Sequence, residues 1–424
     1  MVSVADERLI PDDLLRQIIG VGQVDLLVGL PTHEPGDDVA AAVQAVRGCF
    51  RTYFPRLRTA LLNVDRGSAD GTSLAVQHCW DAGIPAAVGA SGLRTTHCMT
   101  TSMAAWTDGD ASTRCILAAG DLLQAGAVVV LDADVEGLTP AWVAALAATI
   151  GDRQLDLVAP TYRRHAADGP LVTQLVRPLM RAIYGRSLAE PLLAEFGCSG
   201  RLAATCTRAA WDASPAQRTS NVWVAGEALR GGFTIVQAEM GPRRLRPERL
   251  KKSLSDVFRE VVGATFATID AHDGYWATVE GTVAVPTIGG DVTAAPDPPP
   301  GHDGAHLRES FAHDVMAIDE VLRSILSAPT LAAVQEGSRH DPPRFAASTW
   351  AATVAQFLVA YHGRTMNRDH ITQALLPLYA ARAGVFLLEH GQDGAEALEA
   401  ANEDVCLAFE EVRMDIKERW LLPA

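Results

Sequence analysis

Short apolar runs followed by polar loops recur through the first half of the chain. The clearest is Val128 to Leu131, a β-branched run without polar alternation, and such runs are typical of strands buried on both faces of a parallel sheet. Val24 to Leu30 and Arg58 to Val64 are predicted as two further strands, and Pro85 to Gly89 as a third. Because helical spacing follows these strands, the pattern predicts a mostly parallel sheet with helices on both faces, an α/β fold.

The helices and later strands are predicted in the same way from apolar spacing and end signals. Thr139 can cap a helix whose first position is Pro140. The other predicted helices are residues 7–20, Asp37–Phe50, Ser73–Ala82, Ala111–Gly126, Thr173–Tyr184 around Pro178, and Asn221–Gly231, with strands at Leu155–Pro160 and Phe233–Ala238.

The chain changes character near residue 285. A stretch rich in proline and glycine covers 285–306, which predicts a linker or mobile loop. The pattern after it is almost wholly helical. The predicted domains are therefore an α/β domain at 1–284, the linker at 285–306, and a helical C-terminal domain at 307–424.

Composition narrows the function classes. The net charge of −15 over 424 residues argues against a nucleic-acid-binding protein. No apolar run approaches the roughly 18 residues that span a bilayer, and the start of the chain lacks the pattern of a signal peptide. The seven cysteines are odd in number and lack CxxC spacing, so a reduced cytoplasm without a membrane partner is expected.

Two aspartates stand where the buried strand at Val128–Leu131 should end. Ligands of open α/β sheets bind at the carboxyl ends of strands, and paired carboxylates there suit Mg²⁺ or Mn²⁺. Asp132-Ala133-Asp134 is therefore a candidate metal and diphosphate site. The alternative is two solvated loop aspartates.

Several segments resemble one enzyme family. VGLPTHE (28–34), NVDRGSADGT (63–72) and the strand ending in DAD are similar to the nucleotide-binding half of GT-A glycosyltransferases. More narrowly, the chain resembles the retaining mannosylglycerate, glucosyl-3-phosphoglycerate and glucosylglycerate synthases. The segments that carry this are VGQVDLLVGLPT (21–32), DADVEGLTPAW (132–142), QLVRPLMRAIYG (174–185), the region of Glu195, SLSDVFREVVGATF (253–266) and LLPLYAARAGVFLLE (375–389).

The resemblance implies a set of donor-binding residues. The donor would be a UDP- or GDP-linked hexose, with Mg²⁺ or Mn²⁺ acting as Lewis acid and template on the departing diphosphate. Two alternatives stay open: Glu34 as an ordinary loop carboxylate, and Asp65 as the holder of an Asx-turn. The implied contacts are Pro31, Thr32 and Glu34 to the nucleotide, Asp65 to the base, Asp132 and Ala133 to the diphosphate, and Asp134 with Asp132 to the metal.

The resemblance also implies an acceptor site around Glu195. Glu195 is expected beside the transferred sugar and the acceptor, in a positioning or polarising role, together with Phe196 and Gly197. Arg177 is expected to hold the carboxylate of a small, glycerate-like acceptor in bidentate fashion. A helix-cap role for Glu195 and a surface salt bridge for Arg177 are the alternatives.

Two departures from the family pattern bear on activity. The lysine expected in a Gly-Lys-Gly run is replaced by Asp110, and Leu245 stands where a histidine ligand is expected. Arg243, Arg244 and Arg246 are then candidates to bind the diphosphate, and the alternative is a solvated basic turn. The leading hypothesis is a retaining hexosyltransferase and homodimer, and the second is a weakened homologue that binds a nucleotide sugar as a sensor or assembly partner. A Rossmann dehydrogenase is disfavoured because no GxGxxG follows the first strand.

Overall fold

The computed structural model describes most of the chain in two compact units. The sheet unit comprises Met1–Thr161, Leu193–Lys251 and Val285–Val292, and the helical unit comprises Tyr162–Leu192, Lys252–Ala284 and Thr293–Ala424. The described residues are 9–33, 39–82, 96–103, 111–152, 154–212, 221–243, 253–289 and 304–421.

The strands form one large sheet and one small one. In order, the eight-stranded sheet is β10-β8-β5-β7-β4-β1-β2-β3, and β6 and β9 pair separately in the helical unit. The strands are β1 Leu26–Thr32, β2 Thr59–Asp65, β3 Thr96–Ser102, β4 Ala127–Val130, β5 Leu157–Arg163, β6 Arg186–Ser187, β7 Phe196–Ser199, β8 Ile235–Pro242, β9 Val283–Ala284 and β10 Thr287–Ile288.

The centre of the large sheet follows directly from the apolar runs. β1 pairs in parallel with β2 and with β4, and β4 and the apolar side chains of β1 from Leu26 to Leu30 are fully buried. β7 lies antiparallel to both β4 and β5. The predicted α/β class with a mostly parallel sheet is confirmed.

Three features of the sheet differ from the sequence prediction. The strand beside β2 is β3, whose sequence THCMTTS has no apolar run, while the predicted Pro85–Gly89 lies outside the described residues. β7 was not predicted because it has only four residues. β10 lies inside the predicted linker and pairs in parallel with β8.

The helices lie in both units. Thr139 accepts a hydrogen bond from the Trp142 amide and Pro140 begins the helix, as predicted. A π-helical turn at Val172–Val176 precedes α6. The helices are α1 Asp12–Val21, α2 Val39–Thr52, α3 Thr72–Asp81, α4 Ala111–Leu122, α5 Pro140–Leu146, α6 Arg177–Tyr184, α7 Gly200–Asp212, α8 Val222–Arg230, α9 Leu254–Ala271, α10 Asp273–Trp276, α11 Gly304–Ala317, α12 Asp319–Ile325, α13 Ala328–Arg339, α14 Ala347–Gly363, α15 Arg368–His390, α16 Ala395–Glu411 and α17 Arg413–Trp420.

The helical unit contains more of the chain than the predicted C-terminal domain. It includes α6 from the middle of the sequence and α9 with α10, besides the seven helices from α11 onward. The segment 285–292 belongs to the sheet unit instead, because β10 is paired there. Each unit is thus built from three separate stretches of chain.

The most apolar long helix is a packed element of the helical unit. Among the described residues, α15 is the one helix long and apolar enough to cross a membrane, and 56% of its most apolar window is buried within the protein. Arg382 lies inside it, 3% exposed, and donates to the Gln174 side chain and to the Phe345 carbonyl. Burial lowers the pKa of Arg382 to about 10. These contacts are those of a core helix.

Gly197 is required where β7 passes beneath the end of α5. A Cβ atom at this position would lie 1.8 Å from the Leu146 carbonyl oxygen. Because that oxygen belongs to backbone, neither rotamer change nor a flexible side chain can relieve the overlap. The close approach fixes how deeply α5 packs on the sheet.

We expect Gly197→Ala to lower the free energy of unfolding by about 3 kcal/mol, since it overpacks a rigid contact. Gly20→Ala is the matched control, because a Cβ at Gly20 meets nothing within 4 Å; its stability should stay unchanged or rise by less than about 1 kcal/mol. Urea unfolding followed by circular dichroism measures both. Equal stabilities for the two variants would contradict the packing role of Gly197.

Candidate functional site

The carboxyl ends of β1, β2 and β4 meet at one edge of the large sheet. Because these strands are parallel, Thr32 at the end of β1 is the register partner of Asp65 at the end of β2. β4 stops at Val130, opposite Gly29, and Asp132 follows two residues later. The edge at which α/β proteins bind ligands is therefore the edge that carries the predicted donor-binding residues.

The antiparallel strand β7 brings Glu195 to the same edge. Phe196, the first residue of β7, is the register partner of Val130, the last residue of β4. The residue before Phe196 therefore lies beside the residues that follow β4. A strand running in the opposite direction thus places its amino end where its neighbours place their carboxyl ends.

Arg243 joins two of these carboxylates. It directly follows β8, and its guanidinium donates to Glu195 from Nη2 at 2.8 Å and from Nε at 3.1 Å. Nη2 also donates to Asp132 Oδ2 at 3.0 Å. The Glu195 side chain is 1% exposed and that of Arg243 is 11% exposed. We call Asp132, Glu195 and Arg243 the acid–arginine cluster.

Asp132 also shapes the loop that follows β4. Its Oδ1 accepts a hydrogen bond of 2.9 Å from the Asp134 amide, which is an Asx-turn. The turn fixes the backbone between the two aspartates and leaves both side chains half-buried. Ala133 between them is 3% exposed.

Asp65 is the centre of a second polar network on this edge. Its Oδ2 accepts from the amides of Gly67 and Ser68 at 3.1 and 2.9 Å, and its Oδ1 accepts from the Thr32 and Ser68 hydroxyls. The Asn63 amide donates to Thr32 Oγ1 at 2.8 Å. Asp65 thus holds the loop that follows β2, which is the alternative that the sequence left open. Contact of Asp65 with a nucleotide base stays a prediction.

Asn63 and Ser68 were not singled out from the sequence. Asn63 is fully buried in β2, where it also donates to the Leu30 carbonyl at 3.1 Å. The sequence did contain a signal for Asn63, because its amide side chain stands within an otherwise apolar strand. A buried amide must find hydrogen-bond partners. Together with Thr32, the two residues make the β1–β2 end of the edge rigid.

Arg177 lies in the helical unit and is engaged by an acid there. Its guanidinium makes a bidentate ion pair with Glu399 on α16, with Nη2–Oε1 and Nη1–Oε2 distances of 2.6 and 3.3 Å. One turn later, Arg181 pairs with Glu403 and Glu410 on α16. The hydrogen bond from Arg181 lowers the pKa of Glu403. Arg177 therefore forms a salt bridge, which is the alternative that the sequence left open. Binding of an acceptor by Arg177 stays a prediction.

The remaining predicted site residues are buried or lie outside the described chain. Phe196 is fully buried in β7, and Gly197 has the packing role given above. Pro31 is half-buried within β1. Substrate contact by these residues stays a prediction. Glu34, Arg244, Leu245, Arg246 and Asp110 lie outside the described residues.

The cysteine nearest to this edge along the chain is not a nucleophile. Cys198 lies in β7 and is fully buried, and burial raises the pKa of its thiol well above the usual range. Burial likewise raises the pKa of Cys115 to about 12. Burial of this kind disfavours the reactive thiolate form of both cysteines.

The charges at this edge suit a divalent cation that is coordinated partly by protein carboxylates and partly by a bound substrate. Asp132, Asp134, Glu195 and Arg243 are three carboxylates and one guanidinium, a formal charge of −2. No group of three or more His, Cys, Asp or Glu side chains that could hold a metal exists among the described residues. Mg²⁺, however, is commonly bound by one or two carboxylates, with substrate phosphates and water completing its shell. Asp132 and Asp134 fit that mode of binding.

Comparison with known proteins identifies similar solved structures and no family. Neither the protein-family models nor the curated proteins searched contain a match to this chain.

Two of the similar structures are glucosyl-3-phosphoglycerate synthase of Mycobacterium tuberculosis. The complex with Mn²⁺, UDP and glucosyl-3-phosphoglycerate is 16% identical, covering 60% of this chain and 81% of that chain with a TM-score of 0.42. The complex with Mn²⁺, UDP-glucose and phosphoglyceric acid has the same identity and TM-score, covering 61% and 85%. A third structure, described as a mycobacterial protein, is 17% identical, covering 64% and 81% with a TM-score of 0.42. At this level of similarity, the chemistry must be argued from the residues of the chain itself.

A double-mutant cycle tests the acid–arginine cluster. We expect Arg243→Ala to lower the free energy of unfolding by about 3 kcal/mol, because it removes the guanidinium from a buried carboxylate. Combined with Glu195→Gln, the two changes should show a coupling energy of about 1–3 kcal/mol. Urea unfolding of the four proteins provides the measurement.

Arg58→Ala is the control for this cycle. Arg58 pairs with Asp25 in the same unit, but the two side chains are 38% and 27% exposed, so its loss should lower the stability much less than the loss of Arg243. Additive effects of Arg243→Ala and Glu195→Gln would show that the ion pair is not formed in solution.

Proposed function

We propose that this chain is a retaining GT-A glycosyltransferase. It would move a hexose from a UDP- or GDP-linked sugar to a small, hydroxylated, anionic acceptor of the glycerate type. The observation that carries the proposal is the acid–arginine cluster beside Asp134 at the carboxyl edge of the sheet. The segments that resemble the glycerate synthases include each of the three carboxylates of this edge.

The electrostatics of the edge support an anionic donor bound together with a cation. A diphosphate alone would be repelled by the excess of carboxylates among Asp132, Asp134, Glu195 and Arg243, whereas a divalent cation would balance the formal charge of −2 that these four residues carry. Asp134 and Asp132 are the residues that would hold the cation. When bound, Mg²⁺ or Mn²⁺ supplies neutralisation of charge on the departing nucleoside diphosphate.

Arg243 is assigned a positioning role in this proposal. The sequence suggested that it binds the diphosphate, but its Nε and Nη2 groups donate to Glu195 and Asp132. The guanidinium donates two hydrogen bonds to the buried Glu195 and sets the orientation of its carboxylate. It also holds Asp132 at the end of β4. One guanidinium group therefore positions both Asp132, the proposed metal-binding carboxylate, and Glu195, the proposed acceptor-polarising carboxylate.

The proposed reaction takes place on one face of the sugar. The bond between the anomeric carbon and the diphosphate oxygen breaks, and the acceptor hydroxyl oxygen bonds to the same face of that carbon. The acceptor proton passes to the departing diphosphate. Glu195 would orient and polarise the acceptor, not attack the sugar, since its carboxylate is buried against Arg243.

We expect Asp134→Ala to abolish the metal-dependent part of nucleoside-diphosphate binding while leaving the fold intact. Loss of one charge-assisted contact of about 1.5–3 kcal/mol should weaken UDP or GDP binding by roughly ten- to a hundredfold in Mg²⁺ or Mn²⁺. Glu136→Ala is the matched control, because Glu136 is an exposed carboxylate of the same loop. Isothermal titration calorimetry with and without the metal measures the difference, and unchanged affinity in the Asp134 variant would refute the metal assignment.

Turnover is tested separately on the wild-type chain. The protein is incubated with UDP- or GDP-linked hexoses, glycerate or phosphoglycerate acceptors, and Mn²⁺. Nucleotide release is measured as the activity. The anomeric configuration of the product is then determined by NMR. Retained configuration is the expected result. Tight, metal-dependent binding without turnover for any donor would favour the sensor or assembly partner, and inversion would overturn the retaining mechanism.

The proposal includes a homodimer formed through the C-terminal helices. Large apolar side chains are exposed there at Leu407, Met414 and Leu421, which are 46%, 58% and 80% exposed. Multi-angle light scattering at micromolar concentration should give twice the chain mass of 45.1 kDa. Leu407→Asp with Met414→Asp should shift it to the monomer mass, and a monomeric wild-type protein would contradict the proposal.

A further inference from the structure

The helical unit contains a cavity with a basic lining. It has a volume of about 430 Å³, within the usual range for small-molecule sites, and its lining includes two arginines, Arg364 and Arg419, and the imidazole of His362. Ser324 and Thr365 also line it. No acidic side chain is among the described residues that line it, although the whole chain carries a net charge of −15.

The imidazole of His362 is held in a fixed orientation. Its Nδ1 lies 2.6 Å from Asp270 Oδ1, and its ring stacks on Trp420 with centroids 3.8 Å apart and planes 19° apart. Asp270 Oδ2 accepts from Arg368 at 2.5 Å. A carboxylate on Nδ1 makes Nδ1 the donor and leaves Nε2 for a ligand. A histidine oriented in this way differs from a solvated surface histidine.

Arg364 adds a second unusual feature. Its backbone φ is 51°, the left-handed region that non-glycine residues rarely adopt. Within the described parts of the chain its side chain makes no ion pair, while Arg419 pairs with Asp415 on its own helix at 2.8 Å. A glycine would suit this backbone better, so an arginine at this position has a conformational cost.

Charge balance at helix ends explains only part of this arrangement. α14 ends at Gly363, and basic residues near helix C-termini interact favourably with the helix dipole. That effect needs neither the Asp270–His362 hydrogen bond nor the left-handed arginine. Arg419 reaches the cavity from a different helix, α17. Guanidinium groups from the end of α14 and from α17 therefore line the same open cavity.

We infer that this cavity binds a small molecule bearing a phosphate group, at a site separate in sequence and composition from the acid–arginine cluster. Two guanidinium groups offer more donors than the two oxygens of a carboxylate can use, whereas a phosphate presents three terminal oxygens. Nε2 of His362 is left to accept a hydrogen bond from a hydroxyl group of the ligand. The volume leaves room for several further atoms of the ligand.

Isothermal titration calorimetry of the full chain with inorganic phosphate, without metal and at constant ionic strength, tests the inference. We expect Arg364→Gly to weaken phosphate binding about tenfold, because one charge-assisted contact is lost. This variant should be at least as stable as wild type, since glycine favours the left-handed backbone. Arg419→Ala should weaken binding similarly.

Two further variants keep the outcomes separate. Arg323→Ala is the matched control, because Arg323 is an exposed arginine of α12 that does not line the cavity; it should bind phosphate as wild type does. Asp134→Ala should also retain phosphate binding, which distinguishes this site from the proposed donor site. Absence of phosphate binding to the wild type, or equal affinity in wild type, Arg364→Gly and Arg419→Ala, would overturn the inference.

Discussion

The ion pair between Arg243 and Glu195 is the contact on which the candidate site depends. A carboxylate that is 1% exposed is strongly destabilising unless a cation and hydrogen-bond donors accompany it. Arg243 supplies both, with two nitrogens on Glu195 and one of them also on Asp132. The guanidinium therefore joins the start of β7, the end of β4 and the end of β8 into one rigid group.

This group can form only because β7 runs against its neighbours. If β7 were parallel to β4, Glu195 would lie at the opposite edge of the sheet, away from Asp132. The antiparallel insertion in turn requires Gly197, because the Leu146 carbonyl oxygen occupies the space that any Cβ would need. A packing constraint in the core thus determines which carboxylates meet at the edge.

The sequence predicted the parts of the fold whose cause is local. β1, β2 and β4 were predicted because they are apolar runs buried on both faces, and α5 because Thr139 and Pro140 mark its start. β3 and β7 were not predicted, because THCMTTS lacks an apolar pattern and FGCS is too short to show one. Their existence is decided by pairing with neighbouring strands, which periodicity along one strand does not reveal.

The same distinction applies to the site. Asp132 and Asp134 could be recognised because strand, carboxylates and helix follow one another in the sequence. The partnership of Arg243 with Glu195 spans 48 residues, and that with Asp132 spans 111, so no local pattern could reveal it. Arg243 was expected on the diphosphate, where its charge would favour an anion directly. Arg243 is instead bound between two carboxylates, and Asp132, Asp134, Glu195 and Arg243 together still carry a net negative formal charge. Because the charge of Arg243 is already paired within the protein, the arginine does not replace a divalent metal in the proposed donor site.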